Sequence, residues 1–282
     1  MRVKLVINLM AVIPNFYINA VVSIGIRNPA KGIFWIGSGF FVIRKIDDNS
    51  KGCPFLITNK HVLENQSSIV IRMKEQGSTN LKEIDAPLNS SDGHPLYKTH
   101  PYVKNIDIAV LPLDGSFITS NNLEFPAFDI DNHAMTSGEL INNGVDEGSL
   151  VYMLGFPMGL VNKDSKVPIC RLGCVARLCS EQINETHNVL LDIQNFPGNS
   201  GSPIVSRPEL MSIGGTPSLS KSVLMGIVHS YIPYRETLIN SQTNEVVEVR
   251  SENSGIANMH PVEYIRDIIN TILPKLEIKS GK

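Results

Sequence analysis

Short runs of apolar and β-branched residues, each closed off by glycine, proline, asparagine or serine, recur along this chain and leave little room for long helices. One set comprises 20–27, 34–45, 55–58, 69–73 and 108–113; a second comprises 151–155, 167–178, 189–193, 203–206, 223–229 and 246–249. Runs of this length and composition suit strands, and their spacing predicts an all-β protein of barrel or sandwich type. With 282 residues, 42% of them hydrophobic, the chain can bury a substantial core in one or two packed units. Between the two sets, 114–148 is polar and rich in Asn, Ser and Gly, and reads as a plain connection. At 261–273 the pattern changes: Val262, Ile265, Ile268, Ile269 and Ile272 fall on one helical stripe framed by Pro261 and Pro274. This helix is expected to pack on the second unit.

Three segments carry chemistry. Phe196-Pro197-Gly198-Asn199-Ser200-Gly201-Ser202-Pro203 places a serine between glycines, where backbone amides can approach a common point without a Cβ in the way. A serine hydroxyl is a poor nucleophile at neutral pH, so it needs a base to take its proton and donors for the oxyanion that forms after attack. The amides of Gly198 and Ser200 are candidate donors. Upstream, Phe55-Leu56-Ile57-Thr58-Asn59-Lys60-His61 runs an apolar strand into a polar turn, which sets His61 at a strand exit. Asp107 begins the apolar run Ile108-Ala109-Val110-Leu111, where an unpaired carboxylate is costly to bury and a histidine nitrogen offsets the cost. The chain order His, Asp, Ser is that of chymotrypsin-type triads rather than of subtilisins or α/β-hydrolases. An esterase reading would ask for Gly-x-Ser-x-Gly between strand and helix, whereas Ser200 leads into the strand-like Pro203-Ile204-Val205.

Together these segments resemble the trypsin-like serine peptidases, in particular the bacterial HtrA (Deg) and glutamyl-endopeptidase branches. The resemblance rests on Gly37-Ser38-Gly39-Phe40, Thr58-Asn59-Lys60-His61-Val62, Asp107-Ile108-Ala109-Val110-Leu111, Leu154-Gly155-Phe156-Pro157-Met158-Gly159, the serine turn, Met225-Gly226-Ile227-Val228 and Asn253-Ser254-Gly255-Ile256-Ala257. Each string alone is common; their order is what is specific. It implies two antiparallel β-barrels, about 18–115 and 149–259, joined by a linker at 116–148 and followed by the 261–273 helix, all in one peptidase domain. It also implies a serine endopeptidase that cleaves polypeptides through His61, Asp107 and Ser200, without a cofactor. Too few residues follow Leu273 for the peptide-binding PDZ domain of many HtrA proteins. The competing reading is a catalytically silent binding or regulatory module on the same scaffold, although no triad member is replaced.

Asn199 stands where digestive relatives carry an acid that pairs with a new amino terminus, so activation by that ion pair is not expected. The resemblance places Gln194 at the base of the substrate side-chain pocket and Val228, His229 and Ser230 in its wall. No carboxylate occurs there, which disfavours Arg or Lys as the residue recognised. A histidine in the wall is similar to glutamyl endopeptidases, yet His229 falls one position from the usual place, and a one-residue shift turns a strand side chain to the opposite face. It is therefore expected outside the pocket.

A net charge of −2 with dispersed basic residues gives no reason to expect nucleic-acid or anionic-membrane binding. Residues 1–13 begin basic and apolar, but Asn8 interrupts them and no small-x-small cleavage site follows, so a cytoplasmic location is expected, with secreted or periplasmic as the alternative. Cys170, Cys174 and Cys179 lack a close Cys-x2-Cys pair on a strand-like segment, which argues against zinc; with Cys53 they read as buried free thiols. Oligomeric state is not set by the sequence.

Overall fold

Successive residues of a strand point to opposite faces, so a strand buried on both sides must be apolar throughout. That is the logic of the first half of the computed structural model, which describes residues 12–46, 52–209 and 217–280, the side chains of 274–280 excepted. Most of the N-terminal stretch weighed as an export signal lies outside the described residues. A short helix α1 (Asn15–Ala20) leads into β1 (Val21–Asn28), β2 (Gly32–Lys45), β3 (Gly52–Thr58), the single-turn α2 (Lys60–Leu63), β4 (Ser68–Lys74), β5 (Leu81–Pro87) and β6 (Ala109–Pro112). These strands form one sheet in the order β5-β4-β1-β2-β3-β6.

In β2, Phe40 and Val42 face one cluster while Phe41 faces another; in β3, Phe55 and Ile57 oppose Leu56; near β6, Ile108 and Val110 oppose Ala109 and Leu111. One face fills the interior of this unit with Val22, Ile24, Ile69, Ile71 and Met73. The other meets the second unit and the C-terminal helix. No β5–β6 ladder closes the sheet directly among the described residues. Instead the 88–98 segment spans the gap: the Leu96 amide donates to the Leu88 carbonyl, and Lys98 and Val110 exchange two bonds, all at 2.8 Å.

The connection between the units carries more than a linker would. It contains α3 (Gly115–Ser120), β7 (Phe128–Asp129), which pairs parallel with β2, and α4 (Ser137–Asn142), which opens on a capping box from Thr136 and Glu139. Phe128 and Ile130 are fully buried in the shared core, so the plain connection expected for 114–148 is corrected to an ordered segment of the fold.

The second unit comprises β8 (Leu150–Gly155), β9 (Ile169–Arg177), α5 (Ser180–Thr186), β10 (Val189–Asp192), β11 (Pro203–Ser206), β12 (Leu224–Ile239) and β13 (Val246–Pro261). It closes into a six-stranded barrel, β10-β13-β12-β11-β8-β9. Beyond Tyr231 and Asn253, β12 and β13 leave the barrel as an exposed two-stranded arm that pairs as far as Ile239 and Val246. Helix α6 (Val262–Ser280) buries the stripe of Val262, Ile265, Ile268, Ile269 and Ile272. It packs on β6 as well as on β12 and β13, and so bridges both units. The sequence pattern ends this helix before Pro274. A proline costs a helix one backbone bond and crowds the preceding turn, and the buried stripe does end at Ile272, but the backbone stays helical to Ser280.

Cys170, Cys174 and Cys179 carry free thiols, but Cys170 is exposed and the other two half-buried, which corrects the expectation of buried thiols. They sit on and just past β9, whose outward side chains face solvent. Among the described residues no helix is long and apolar enough to cross a membrane.

Candidate active site

Asp107 sits between two buried neighbours, Ile106 and Ile108, just ahead of β6. Its carboxylate grips His61 twice: Oδ2 lies 2.5 Å from the ring Nδ1, and Oδ1 accepts the His61 backbone N–H at 3.0 Å. A carboxylate only accepts while ionised, so Nδ1 carries the ring proton and Nε2 is left as the basic nitrogen. Burial works against ionisation of Asp107, but the hydrogen bond and charge of His61 outweigh it and hold the carboxyl below the usual range. In return the bond from Asp107, against the opposing effect of burial, raises His61 above 6.5.

The backbone of Asp107 is tied as firmly as its side chain. Asn59, fully buried where the chain enters α2, donates its side-chain amide to the Asp107 carbonyl at 2.7 Å. The Asp107 N–H donates to Nε2 of His260 at 3.0 Å, and Nδ1 of His260 donates to the carbonyl of His187 at 2.8 Å.

Ser200 lies on a turn docked onto the first unit through Ser38. The Ser38 N–H donates to the Ser200 carbonyl at 2.8 Å, the Ser38 hydroxyl donates to the Gly198 carbonyl at 2.7 Å, and the same hydroxyl accepts the Phe156 N–H at 2.9 Å. Thr58, three residues before the histidine, donates its hydroxyl to the Ser38 carbonyl. Gly37 is wedged between the two segments: a Cβ there would lie 2.8 Å from Val62 Cγ1 and 3.3 Å from the Ser200 carbonyl oxygen. The turn is thus brought against the residue that follows His61. Among the described residues the Ser200 hydroxyl itself makes no hydrogen bond to protein.

In a trans peptide the C=O and the next N–H point in opposite directions. The Pro197 carbonyl accepts the Met158 N–H at 2.5 Å, and the Asn199 carbonyl accepts the Ser202 N–H at 2.9 Å. Both carbonyls are bonded within the protein, which turns the N–H groups of Gly198 and Ser200 away, and neither donates to protein among the described residues. Gly198 reaches this geometry at φ +93°, a region that favours glycine.

The residues assigned to the pocket fall on both sides of this turn. Val228 pairs with the Ser200 turn through its backbone, accepting the Gly201 N–H at 3.2 Å, while its side chain belongs to the barrel core. Ser230 accepts Asn195 on its carbonyl and Asn258 on its hydroxyl, both at 3.0 Å. Gln194 is exposed beside Gly255. His229 is the extra residue of a β-bulge between Val228 and Ser230. Its ring stacks on His260, with centroids 4.0 Å apart and planes 10° from parallel, and donates to Asn188 Oδ1 at 2.8 Å. Burial and the neighbouring His260 push His229 down to about 3.

Sequence reasoning missed the supporting roles of Ser38, Asn59 and His260. The first two lie within motifs that the sequence displays, but His260 precedes a helix in a stretch without any motif and meets Asp107 only in three dimensions.

Among solved structures, the chain is similar to the HtrA-type protease AlgW with decapeptide, at 16% identity over 91% of this chain and a TM-score of 0.47. It spans 65% of the length of that chain. It is also similar to the MamO protease domain from Magnetospirillum magneticum, at 14% identity over 89% of this chain and 95% of that one, with a TM-score of 0.43. No match was found among curated proteins. Residues 37–210, well over half the chain, match the family model of the trypsin-like peptidase domain, and His61, Asp107 and Ser200 all lie inside that span, so the chain belongs to the trypsin-like peptidase family.

Proposed function

We propose that the protein is a serine endopeptidase in which His61 is the base, Asp107 its orienting acid and Ser200 the nucleophile. One observation carries the reading. The Asp107 carboxylate holds His61 Nδ1 at 2.5 Å while two backbone donors beside Ser200 are left open. In the reaction His61 Nε2 takes the Ser200 proton as the oxygen attacks a peptide carbonyl, and Asp107 stabilises the imidazolium that forms. The amides of Gly198 and Ser200 receive the oxyanion. The imidazolium then protonates the leaving amine, and water hydrolyses the acyl-enzyme with His61 again as base. None of these steps asks for a cofactor.

The substrate is a polypeptide, and no carboxylate in 194–197 or 228–230 selects a basic side chain. Acidic or small apolar residues are expected at the cleavage position. A fluorophosphonate should label the wild type and spare Ser200→Ala, and a peptide library should be cut by the first alone. Because His61 works only while neutral, kcat/KM should fall as pH drops through a midpoint above 6.5. Absence of both labelling and cleavage above that midpoint would overturn the reading in favour of the silent binding module.

A further inference from the structure

An acid at the end of a loop orients a histidine only if its own backbone cannot swing. The two backbone groups of Asp107 are held from opposite sides, the carbonyl by Asn59 and the N–H by His260. His260 is 1% exposed, so water cannot readily take its place. Its hydrogen bonds admit one protonation state. Nε2 accepts from Asp107, so it bears no proton; Nδ1 faces a carbonyl, so it does.

The surroundings enforce this neutral tautomer. The accepting carbonyl belongs to His187, which caps α5 in a left-handed conformation at φ 61° and anchors its own ring on the Tyr264 hydroxyl at 3.0 Å. His229 of β12 covers one face of the imidazole, and Tyr264 of α6 stands edge-on to it. His187 and His100 add further positive potential, and Asp107 is the acid that opposes them. Burial, with these histidines, outweighs Asp107 and the His187 carbonyl and keeps the ring below the ordinary histidine range. A second proton would set an N–H of His260 against the N–H of Asp107, two donors facing each other.

We infer that His260 is a positioning residue for the catalytic acid: its unprotonated Nε2, by accepting the Asp107 backbone N–H, sets the carboxylate against Nδ1 of His61. This inference rests on the serine-peptidase reading for its effect on rate, though not for its effect on His61.

Two substitutions divide the role of the ring. In His260→Gln the side-chain oxygen comes near the position of Nε2 and restores an acceptor to Asp107, while the bond to His187 is lost. In His260→Asn the side-chain amide comes near Nδ1 and keeps the bond to His187, while the Asp107 N–H is orphaned. Each loses one buried hydrogen bond, so similar losses of thermal stability are expected. Their kinetics should differ. With the full chain, His260→Gln should keep kcat within a few-fold of wild type, whereas His260→Asn should lose about 100-fold in kcat at unchanged KM, the scale of an ångström-sized misplacement. The NMR-titrated pKa of His61 should drop in His260→Asn and hold in His260→Gln.

Equal kcat losses in the two variants, a loss that merely follows melting temperature, or an unmoved His61 titration would overturn the inference. If His260→Asn does not fold, a folded His260→Gln with kcat down a hundredfold overturns it as well. A wild type that fails to label defeats the peptidase reading instead, and the His61 titration then still decides the role of His260.

Discussion

Gly198→Ala is the sharpest perturbation of the proposed oxyanion site, because the space for its methyl group is known. A Cβ at this position would lie 2.5 Å from the Phe156 carbonyl oxygen, 2.9 Å from the Met158 nitrogen and 3.3 Å from the Pro157 carbonyl carbon. All three are backbone atoms, and the Phe156 N–H is bonded to Ser38, so this turn cannot simply rotate aside. Movement of either segment breaks the bond from Met158 to the Pro197 carbonyl, which is what turns the Gly198 N–H outward. Losing one oxyanion donor costs about 10²- to 10³-fold in kcat. The left-handed backbone adds about 1–2 kcal/mol of strain to the folded state. Gly32→Ala separates the two effects: Gly32 has φ +83° and a Cβ there would meet no atom within 4 Å, so this variant carries the strain alone. Its melting temperature should fall by about 2–4 °C per kcal/mol with kcat unchanged. The assays are kcat/KM on a peptide taken from the library and the rate of fluorophosphonate labelling, each beside a thermal melt. A folded Gly198→Ala with kcat within threefold of wild type, or a Gly32→Ala equally impaired in kcat, would refute the argument.

Two further outcomes follow from buried groups. Ser38→Ala orphans the Gly198 carbonyl and the Phe156 N–H, at about 1–3 kcal/mol each, and loosens the turn that carries Ser200; urea unfolding should show the loss, and kcat should fall with it, whereas an unchanged urea midpoint would reject the anchoring of that turn by the Ser38 hydroxyl. His229 and His260 are held below the ordinary histidine range in the folded state, so the unfolded chain binds more protons below pH 6.5 and stability fully present above that pH is lost as pH falls toward the folded values, about 3 for His229. The slope approaches about 1.4 kcal/mol per pH unit for each group; His61, raised rather than lowered, contributes in the opposite sense, with stability present below 6.5 that is lost as pH rises through its folded value. His229→Phe, which keeps an aromatic ring on His260, should flatten the urea-midpoint profile between pH 6.5 and 4, and an equally steep profile would reject the assignment.

The strands most plainly legible in the sequence are those with apolar side chains on both faces. Phe40-Phe41-Val42, Phe55-Leu56-Ile57 and Ile108-Ala109-Val110-Leu111 read as strands because the runs are short, rich in aromatic and β-branched residues and closed by turn residues, and in the structure each strand serves two cores. The elements that are not legible lack that signal. Leu81–Pro87 mixes apolar with charged residues at the sheet edge without a regular period, and the β12 side of the arm carries Pro233 beside Arg235 and Glu236 with solvent on both sides; only Val246–Val249 on the β13 side reads as a strand. The helices α1 to α5 are one or two turns long, too short for a 3.6-residue period to show. At the candidate site, His61 and Asp107 stand out in the sequence because each ends or begins an apolar strand, a place from which a side chain can face a cleft. His260 is not, since its partners Asp107 and His187 lie 153 and 73 residues away and its own neighbourhood reads only as the end of a strand.

These long-range bonds share a direction that the site residues alone do not reveal. Ser200 arises in the second unit, yet its turn is held by Ser38 of β2 in the first. Asp107 arises in the first unit, yet its amide is held by His260 of β13 in the second. Each unit therefore fixes a group contributed by the other, and neither could present its half of the site correctly oriented while separated. The shared core beneath, from Phe40 and Phe55 through Leu154 and Ile227 to Ile265 of α6, opposes any sliding of one unit past the other. A displacement large enough to break the Ser38 contacts would break the His260 contact too, so the Ser200 turn and the carboxylate proposed as the acid should lose their geometry together.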